Sequence, residues 1–166
     1  MSKVLVGIGS NIDPQKNLLA AFESLSSEFD GLRLSPVYRC RAVGFDGDDF
    51  YNLVASFETQ LDVGQLQQAL KGIEASTGRT GKESKWSGRT LDIDILTYDD
   101  KVGIIDGVEL PRDEIVKHAY VLKPLADLSP EGVHPELKVS YQVLWDEFSG
   151  DKFLEPVTFQ WRGQCW

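Results

Sequence analysis

The chain has 166 residues, a length that supports one domain with its own hydrophobic core. Its formal net charge of -9 at pH 7 argues against non-specific binding to nucleic acid. No stretch reaches the roughly 20 apolar residues of a membrane span, and the apolar run that follows Met1 is too short for a signal peptide. The two cysteines do not make a disulfide framework at this length, so we expect a cytoplasmic protein with reduced thiols.

The first 59 residues predict three strands and one helix. Residues 3–9 are a nearly continuous apolar run, which predicts a buried strand. Asp13-Pro14 predicts a helix start, with aspartate as the N-cap and proline at the first helical position. Apolar residues at helical spacing carry that helix to about residue 27, and residues 32–39 and 50–59 then predict two further strands.

The next segment predicts a second helix and a fourth strand. Asp62 and Gln65 have the spacing of a capping box, and Gly78 suits the C-cap of the helix that follows them. A charged loop over residues 79–89 leads into a strand over residues 91–98. The order β-α-β-β-α-β predicts an α+β fold of the ferredoxin-like, split β-α-β type, with an antiparallel sheet and helices on one face.

The last third of the chain predicts an extension of that fold. A short helix is expected at residues 113–118, and three prolines beyond it mark irregular chain. Aromatic residues predict a C-terminal segment that packs on the sheet, and these are Trp145, Phe148, Phe153, Trp161 and Trp166. Because no linker or repeat divides the sequence, we treat residues 1–166 as a single domain.

The fourth strand carries a pair of carboxylates. Successive side chains of a strand point to opposite faces, so Leu91, Ile93 and Ile95 share one face while Asp92 and Asp94 share the other. The two aspartates are roughly 6.5–7 Å apart along the strand, close enough to serve one site. A divalent cation would relieve their repulsion, and oxygen ligands suit magnesium. The alternative is a solvated outer face of the sheet.

The loop before this strand is basic, although the whole chain is acidic. It contains Arg79, Lys82, Lys85 and Arg89 against the single acidic residue Glu83. A local cationic loop on an acidic protein fits a small anionic ligand better than a polymer. With Arg89 directly before the aspartate pair, the expected ligand is a phosphate compound bound together with a metal.

Short segments along nearly the whole chain carry a family resemblance through their order and spacing. The most specific is GRTLDIDI at residues 88–95. The others are GIGSN at 7–11, YR at 38–39, YNLV at 51–54, IE at 73–74, HAYVLKPL at 118–125 and HP at 134–135. With these segments the chain resembles the hydroxymethyl-dihydropterin pyrophosphokinase family of folate biosynthesis.

The resemblance implies a fold, a reaction and a set of ligands. The fold is the ferredoxin-like sheet with additional C-terminal elements. The reaction moves pyrophosphate from ATP to the hydroxymethyl group of a dihydropterin and releases AMP. Two Mg²⁺ ions would bridge the phosphates. The implied partners are these small molecules rather than nucleic acid or membrane, and we expect a monomer, with a weak homodimer as the alternative.

The resemblance also implies roles for individual residues. The catalytic set is Asp92, Asp94, Arg79 and Arg89, of which Asp92 and Asp94 are the metal ligands. The ATP-binding set is Glu74, Lys82, Lys85, Trp86, Ile95, Arg112 and His118, and part of it belongs to a loop that would close over the triphosphate. The pterin-binding set, in which an amide pairs with the ring edge and two aromatic rings sandwich the heterocycle, is Cys40, Ala42, Val43, Phe50, Asn52 and Tyr120.

The chain departs from the family pattern at several of these positions. Cys40 and its two successors replace the usual threonine and prolines, Arg112 and Asp113 replace histidine and tyrosine, and His118 replaces arginine. Two alternatives to an active pyrophosphokinase stay open, the first suggested by these departures and the second by fold analogy alone. One is a diverged paralogue that binds pterin or nucleotide with little turnover or acts on another pterin alcohol. The other is a ferredoxin-like regulatory or self-associating domain.

Overall fold

A computed structural model describes residues 1–40, 49–77 and 91–165. The predicted C-cap Gly78 and the basic loop that follows it lie outside these ranges. In chain order the elements are β1 (Ser2–Ser10), α1 (Pro14–Glu28), β2 (Asp30–Leu34), β3 (Val37–Cys40), β4 (Phe50–Thr59), α2 (Val63–Ser76), β5 (Asp92–Tyr98), β6 (Gly103–Ile105), β7 (Val108–Leu110), α3 (Glu114–Lys117), α4 (Ala119–Leu128), α5 (Tyr141–Asp146), β8 (Glu155–Val157), β9 (Gln160–Trp161) and β10 (Gln164–Cys165).

The main sheet has the strand order β5-β1-β4-β3-β8, and β2 also pairs with β4. Its strands pair antiparallel, with β1 between β4 and β5. The first four predicted strands and both predicted helices occur in the predicted order, so the ferredoxin-like fold class is confirmed. Two small hairpins, β6–β7 and β9–β10, stand apart from this sheet.

The second predicted strand is interrupted at Ser35 and Pro36, which divide it into β2 and β3. Proline has no backbone N–H to give to a ladder, so pairing with β4 is lost at that point. Ser35 preserves the alignment, because its N–H donates to the Val54 carbonyl at 2.9 Å and its Oγ accepts the Val54 N–H at 2.8 Å. The prediction of a single strand over residues 32–39 was therefore wrong, although β2 and β3 both pair with β4.

The two long helices begin where the sequence predicts. In α2 the capping box is complete: the Gln65 N–H donates to Asp62 Oδ1 at 2.8 Å, and the Asp62 N–H donates to Gln65 Oε1 at 3.1 Å. Helix α1 starts at Pro14, but Asp13 has a left-handed backbone with φ 41° and makes no side-chain cap bond. Within the described residues, no helix combines the length and the apolar character needed to cross a bilayer.

Helices pack against both faces of the sheet. Val4, Val6 and Ile8 of β1 pack in one core with α1 and α2. The opposite face, called here the α4 face, packs Leu5 and its neighbours against α4 and α5. The predicted extension therefore covers part of the face that the first two helices leave free. Both the aspartate pair and the cavities discussed below lie on the α4 face.

The C-terminal segment adds β8 to β3 and returns to the first core. Phe159, which is 1% exposed, and Trp161 both pack edge-on against Phe22. Trp145 and Phe148 pack beside the α4 core, as predicted. The prediction was wrong for Phe153, which is 60% exposed and lines a cavity instead of packing in a core. Trp166 lies outside the described residues.

A turn built around His134 connects α4 to α5. The His134 N–H donates to the Val139 carbonyl at 2.9 Å, and its Nδ1 accepts the backbone N–H groups of Glu136 and Leu137 at 3.2 and 3.0 Å. The ring also lies edge-on to Tyr141, at 6.5 Å between centroids. Burial lowers the pKa of His134 below its ordinary value, so the fold favours the neutral imidazole.

We expect this histidine to make folding sensitive to mild acid. As pH falls from about 7.5 to 5.5, the unfolded chain takes up a proton near pH 6.5 while the folded chain resists it, so the free energy of unfolding should decrease. Urea unfolding across this range measures the effect. The variant His134→Gln should flatten the profile, whereas His118→Gln, at the other histidine of the chain, should leave it in place. Parallel profiles for wild type and His134→Gln would contradict the assignment.

Candidate functional site

The register of the sheet brings predicted residues into one row across the α4 face. Gly9 of β1 is the Cα partner of Asp92 on one side and of Asn52 on the other, and Asn52 is in turn paired with Tyr38. Adjacent strands are about 4.8 Å apart, so Asp92 and Asn52 stand about 10 Å apart with a glycine between them. A carboxylate and an amide thus face a common space.

A second row lies one pleat further along, with Gly7 paired to Asp94 and to Val54. The two glycines present only backbone between β5 and β4, and this strip is called here the trough; the side chains of Leu96 and Asn52 lie over it. At Gly9 the lack of a side chain is required: a Cβ there would lie 2.7 Å from Oδ1 of Asn52. Glycine inside a strand commonly marks such a close approach.

Asp94 lies in a partly buried and charged environment. Burial raises the pKa of Asp94, the nearby Arg112 opposes that rise, and the Asp92 charge adds to it. Arg112 Nη2 is 3.9 Å from Asp94 Oδ2 and 3.0 Å from Glu114 Oε1. Within the described chain, Arg112 Nε is buried without a hydrogen-bond partner. That N–H is available to a further acceptor beside Asp94.

The aspartate pair suits magnesium, although it supplies only part of the coordination shell of the ion. Among the described residues no group of three or more histidine, cysteine, aspartate and glutamate side chains is arranged to hold a metal. Mg²⁺ commonly takes one or two carboxylates and completes its coordination with waters and substrate phosphates. Two carboxylates on one strand face, at least one of them partly desolvated, match that pattern.

Asn52 is held in place by a neighbouring thiol. Its Nδ2 donates to the Sγ of Cys40 at 3.1 Å, across the β3–β4 ladder. Burial raises the pKa of the Cys40 thiol to about 11, so the thiol is protonated at neutral pH. Phe50 is the Cα partner of Cys40, and its ring approaches the space above Gly9. Three residues predicted for pterin binding are therefore contiguous.

A cavity of about 400 Å³ opens beside these residues. Cys40, His118 and Tyr120 line it, which joins two predicted pterin residues to one predicted ATP residue. The His118 ring is stacked on Tyr120, with centroids 4.8 Å apart and planes 13° apart. Burial is the main reason why the pKa of Tyr120 is raised to about 12, so its hydroxyl is protonated at neutral pH.

Two residues predicted for ATP binding, Glu74 and Ile95, lie on the side of β5 that packs against α2. Glu74 Oε2 accepts the Ile93 N–H at 2.8 Å, which satisfies a donor on the edge strand β5. Ile95 is 2% exposed and belongs to the core with α1 and α2. Its side chain does not reach the α4 face, so only its backbone could contact a nucleotide.

Several predicted residues fall outside the described ranges. They are Ala42, Val43, Arg79, Lys82, Lys85, Trp86 and Arg89. The structure brings together the remaining members that face the trough or the cavity, namely Asp92, Asp94, Asn52, Phe50, Cys40, Arg112, His118 and Tyr120.

The sequence-based list missed both glycines of the trough and part of the cavity lining. Gly7 and Gly9 belong to the GIGSN segment that supports the family resemblance. Two glycines within a buried strand are also a signal that another group approaches the backbone closely there. Phe148 and Leu154 also line the cavity, but they come from a C-terminal segment whose placement depends on β8. No local pattern in that segment predicts its position.

Taken together, the fold and site define a ferredoxin-like α+β protein with an acidic pair and an amide-bearing pocket on one sheet face. Residues 5–130 match the family model of 7,8-dihydro-6-hydroxymethylpterin-pyrophosphokinase (HPPK). The match spans most of the chain, and the chain belongs to this family. The family predicted from the sequence is thereby confirmed.

Relatives and solved structures agree with this placement. The 2-amino-4-hydroxy-6-hydroxymethyldihydropteridine pyrophosphokinase of Aquifex aeolicus is 32% identical over 158 residues, covering 94% of this chain and 96% of that protein. The protein of the same name from Pseudomonas aeruginosa is 33% identical over 135 residues, covering 79% of this chain and 83% of that protein. The structure of wild-type Plasmodium falciparum HPPK-DHPS with pteroate matches with a TM-score of 0.72 at 14% identity. That match covers 89% of this chain and 42% of the Plasmodium chain, so it supports the fold.

The two glycines of the trough allow a paired test of the geometry. In Gly9→Ala the new Cβ would lie 2.7 Å from Asn52 Oδ1, so the amide must move and lose its bond to Cys40. In Gly7→Ala the nearest atom is a Leu96 methyl at 3.5 Å, an ordinary contact. The side-chain amide resonances of Asn52 should therefore shift in the first variant and stay in place in the second. Unchanged resonances in Gly9→Ala would show that the amide does not lie over this glycine.

Proposed function

We propose that this chain transfers pyrophosphate from ATP to the hydroxymethyl group of a dihydropterin in folate biosynthesis, giving AMP and the pterin diphosphate. Family membership supports the reaction class. The observation that carries the proposal is the row in which Gly9 separates Asp92 from Asn52. A flat bicyclic ring with a one-carbon arm is long enough to reach from the amide toward the acidic pair. One end of such a substrate can thus meet the amide while its hydroxyl meets the acidic pair.

We further propose that Asp92 and Asp94 hold Mg²⁺, with two ions when ATP is bound. Bound magnesium would neutralise the phosphate charge and lower the pKa of the attacking hydroxyl. Asp94 is prepared for this role, because its burial disfavours an uncompensated charge and Arg112 offsets that charge in part.

The chain's own residues would orient both substrates. The substrate hydroxyl oxygen forms a bond to the β-phosphorus, the bond from that phosphorus to the bridging oxygen of AMP breaks, and the hydroxyl proton leaves to solvent. Asn52, fixed by Cys40, would pair with the ring edge, while Phe50 and Tyr120 would cover the ring faces. Arg112 would offer its unpaired Nε–H to a phosphate oxygen.

The remaining parts of the proposal come from the resemblance. Glu74, Ile95 and His118 would contribute to the ATP site, Ile95 through its backbone. Ala42 and Val43 would complete the pterin pocket, and the basic loop with Arg79, Lys82, Lys85, Trp86 and Arg89 would close over the triphosphate. The single-domain organisation, the monomeric state and the cytoplasmic location expected from the sequence belong to this proposal as well.

One departure from the family pattern is compatible with an active enzyme. Asp113, which would repel phosphate if it pointed into the site, is paired with Lys117 at 2.7 Å. A side-chain hydrogen bond from Lys117 lowers the pKa of Asp113, so the pairing suits the charged carboxylate. The Asp113 carboxylate is thereby held by the ammonium group of Lys117, four residues further along the chain.

Asp94→Asn tests the metal assignment. Turnover in magnesium should fall by several orders of magnitude, because a neutral amide cannot offset the cation and its phosphates. The melting temperature of the free protein should hold or rise, since burial of the charge raises the pKa of Asp94 and so disfavours its ionised form. Asp100→Asn, at an exposed turn position, is the control for both measurements. Retention of more than about a tenth of the wild-type rate would contradict the role.

Asn52→Ala tests recognition of the pterin. The ring's polar edge would lose its partner in a buried pocket, at a cost of about 1–3 kcal/mol. Calorimetric titration should show pterin affinity reduced by about tenfold or more, with ATP affinity nearly unchanged. Equal losses for both ligands would point to a general defect of the fold instead.

A further inference from the structure

A second cavity lies on the α4 face at the far end of the sheet from Asp92. Its volume is about 330 Å³, and it is lined by residues of β1, β2, β4 and β5 together with the α4–α5 connection. It shares no lining residue with the cavity beside Tyr120. None of its residues belongs to the proposed catalytic or substrate-binding set.

The floor of this cavity is a row of side chains across four strands. Arg33 is the Cα partner of Ser56, Ser56 of Leu5, and Leu5 of Thr97. The register of β1 with β5 shifts just beyond Leu5, so Leu96 and Thr97 both turn toward the α4 face. The bulge is therefore what brings the Thr97 hydroxyl into the cavity.

Two residues of this floor carry hydroxyl groups that have no hydrogen-bond partner among the described residues. Ser56 and Thr97 are each 4% exposed, and both line the cavity. In the described part of the chain, no hydrogen bond is made by either side-chain oxygen. Because both residues line the cavity, their unbonded hydroxyls can serve a polar group that enters it.

Two cations stand at the mouth of the cavity. Lys3 and Arg33 are exposed and line it, and neither forms an ion pair with any residue that the structure describes. Unpaired cations are notable in a chain with a net charge of -9. Asp99 is the acidic residue of the lining, and its Oδ1 is engaged by the backbone N–H of Lys3 at 2.8 Å.

The opposite wall of the cavity is apolar and well supported. Leu128, Val133 and Tyr141 supply it, and the hydrogen-bonded turn of His134 fixes the connection that carries them. Gly132 packs closely there, since a Cβ at this position would lie 3.0 Å from the Tyr141 ring. The cavity thus has a polar floor, a cationic mouth and an apolar wall.

We propose that this cavity is a second ligand site, which takes a small molecule that carries an oxyanion on an apolar body. The oxyanion, a carboxylate or a phosphate, would meet Lys3 and Arg33 and accept from the hydroxyls of Ser56 and Thr97. The apolar body would lie against Tyr141. Thr97 is three residues from Asp94, about 10 Å along the strand, so a ligand in this cavity would leave the row of Asp92, Gly9 and Asn52 free.

The test is a titration of the ¹⁵N-labelled protein followed by amide chemical shifts. Benzoate and phenyl phosphate are the probes, and benzyl alcohol is the matched neutral compound. Saturable shifts at the amides of Ser56, Thr97 and Val133 with an anionic probe, and weaker ones with benzyl alcohol, are expected. Whichever anion binds more tightly identifies the carboxylate or the phosphate as the preferred group.

Variants make the proposal falsifiable without the natural ligand. Arg33→Gln removes a cation from an exposed side chain, and Thr97→Val removes one hydroxyl with little change in shape. Each should weaken binding of the better probe by several-fold, while Lys16→Gln, an exposed lysine on α1, should leave it unchanged. Non-saturable shifts, equal binding of benzyl alcohol, or equal affinity in wild type and Arg33→Gln would overturn the proposal. These outcomes do not depend on whether the chain is an active pyrophosphokinase.

Discussion

The pairing of β1 with β4 on one side and β5 on the other determines where the side chains of the candidate site stand. Because side chains alternate along a strand, a slip of one residue in either ladder would send Asp92 or Asn52 into the core. The register is fixed by the apolar residues of the other face, where Val4, Val6 and Ile8 must pack under α1 and α2. Burial of one face thus sets the chemistry of the opposite face.

Much of this arrangement could be predicted because it depends on local pattern. Alternation in the predicted strand 91–98, which is β5 in the structure, placed both aspartates on one face. The capping box of Asp62 and Gln65 predicted the start of α2, and the predicted bounds of β4 agree with those observed. The family was predicted from motif order and spacing. These signals are properties of short segments, which do not require knowledge of tertiary contacts.

What could not be predicted depends on contacts between distant segments. The donation from Asn52 to Cys40 and the close approach of Asn52 to Gly9 require the actual sheet register. The bulge at Leu96 and Thr97 and the break at Ser35 likewise follow from pairing partners rather than from composition. Arg112 was expected at a phosphate, but its position beside Asp94 follows from a backbone bond to the Leu96 carbonyl at 2.9 Å.

The short strand β8 has a consequence for how the cavity beside Tyr120 can vary. It pairs with β3, and Glu155 accepts a hydrogen bond from Arg39 on that strand, so the C-terminal segment is fastened by a ladder and an ion pair. The residues before it, including Phe148 and Leu154, form one wall of that cavity and lie outside the row of Asp92, Gly9 and Asn52. That wall can therefore change in shape and polarity while the aspartates, the amide and the glycines keep their spacing. Such a division lets the outer wall diverge while the residues proposed for the transfer reaction stay in register.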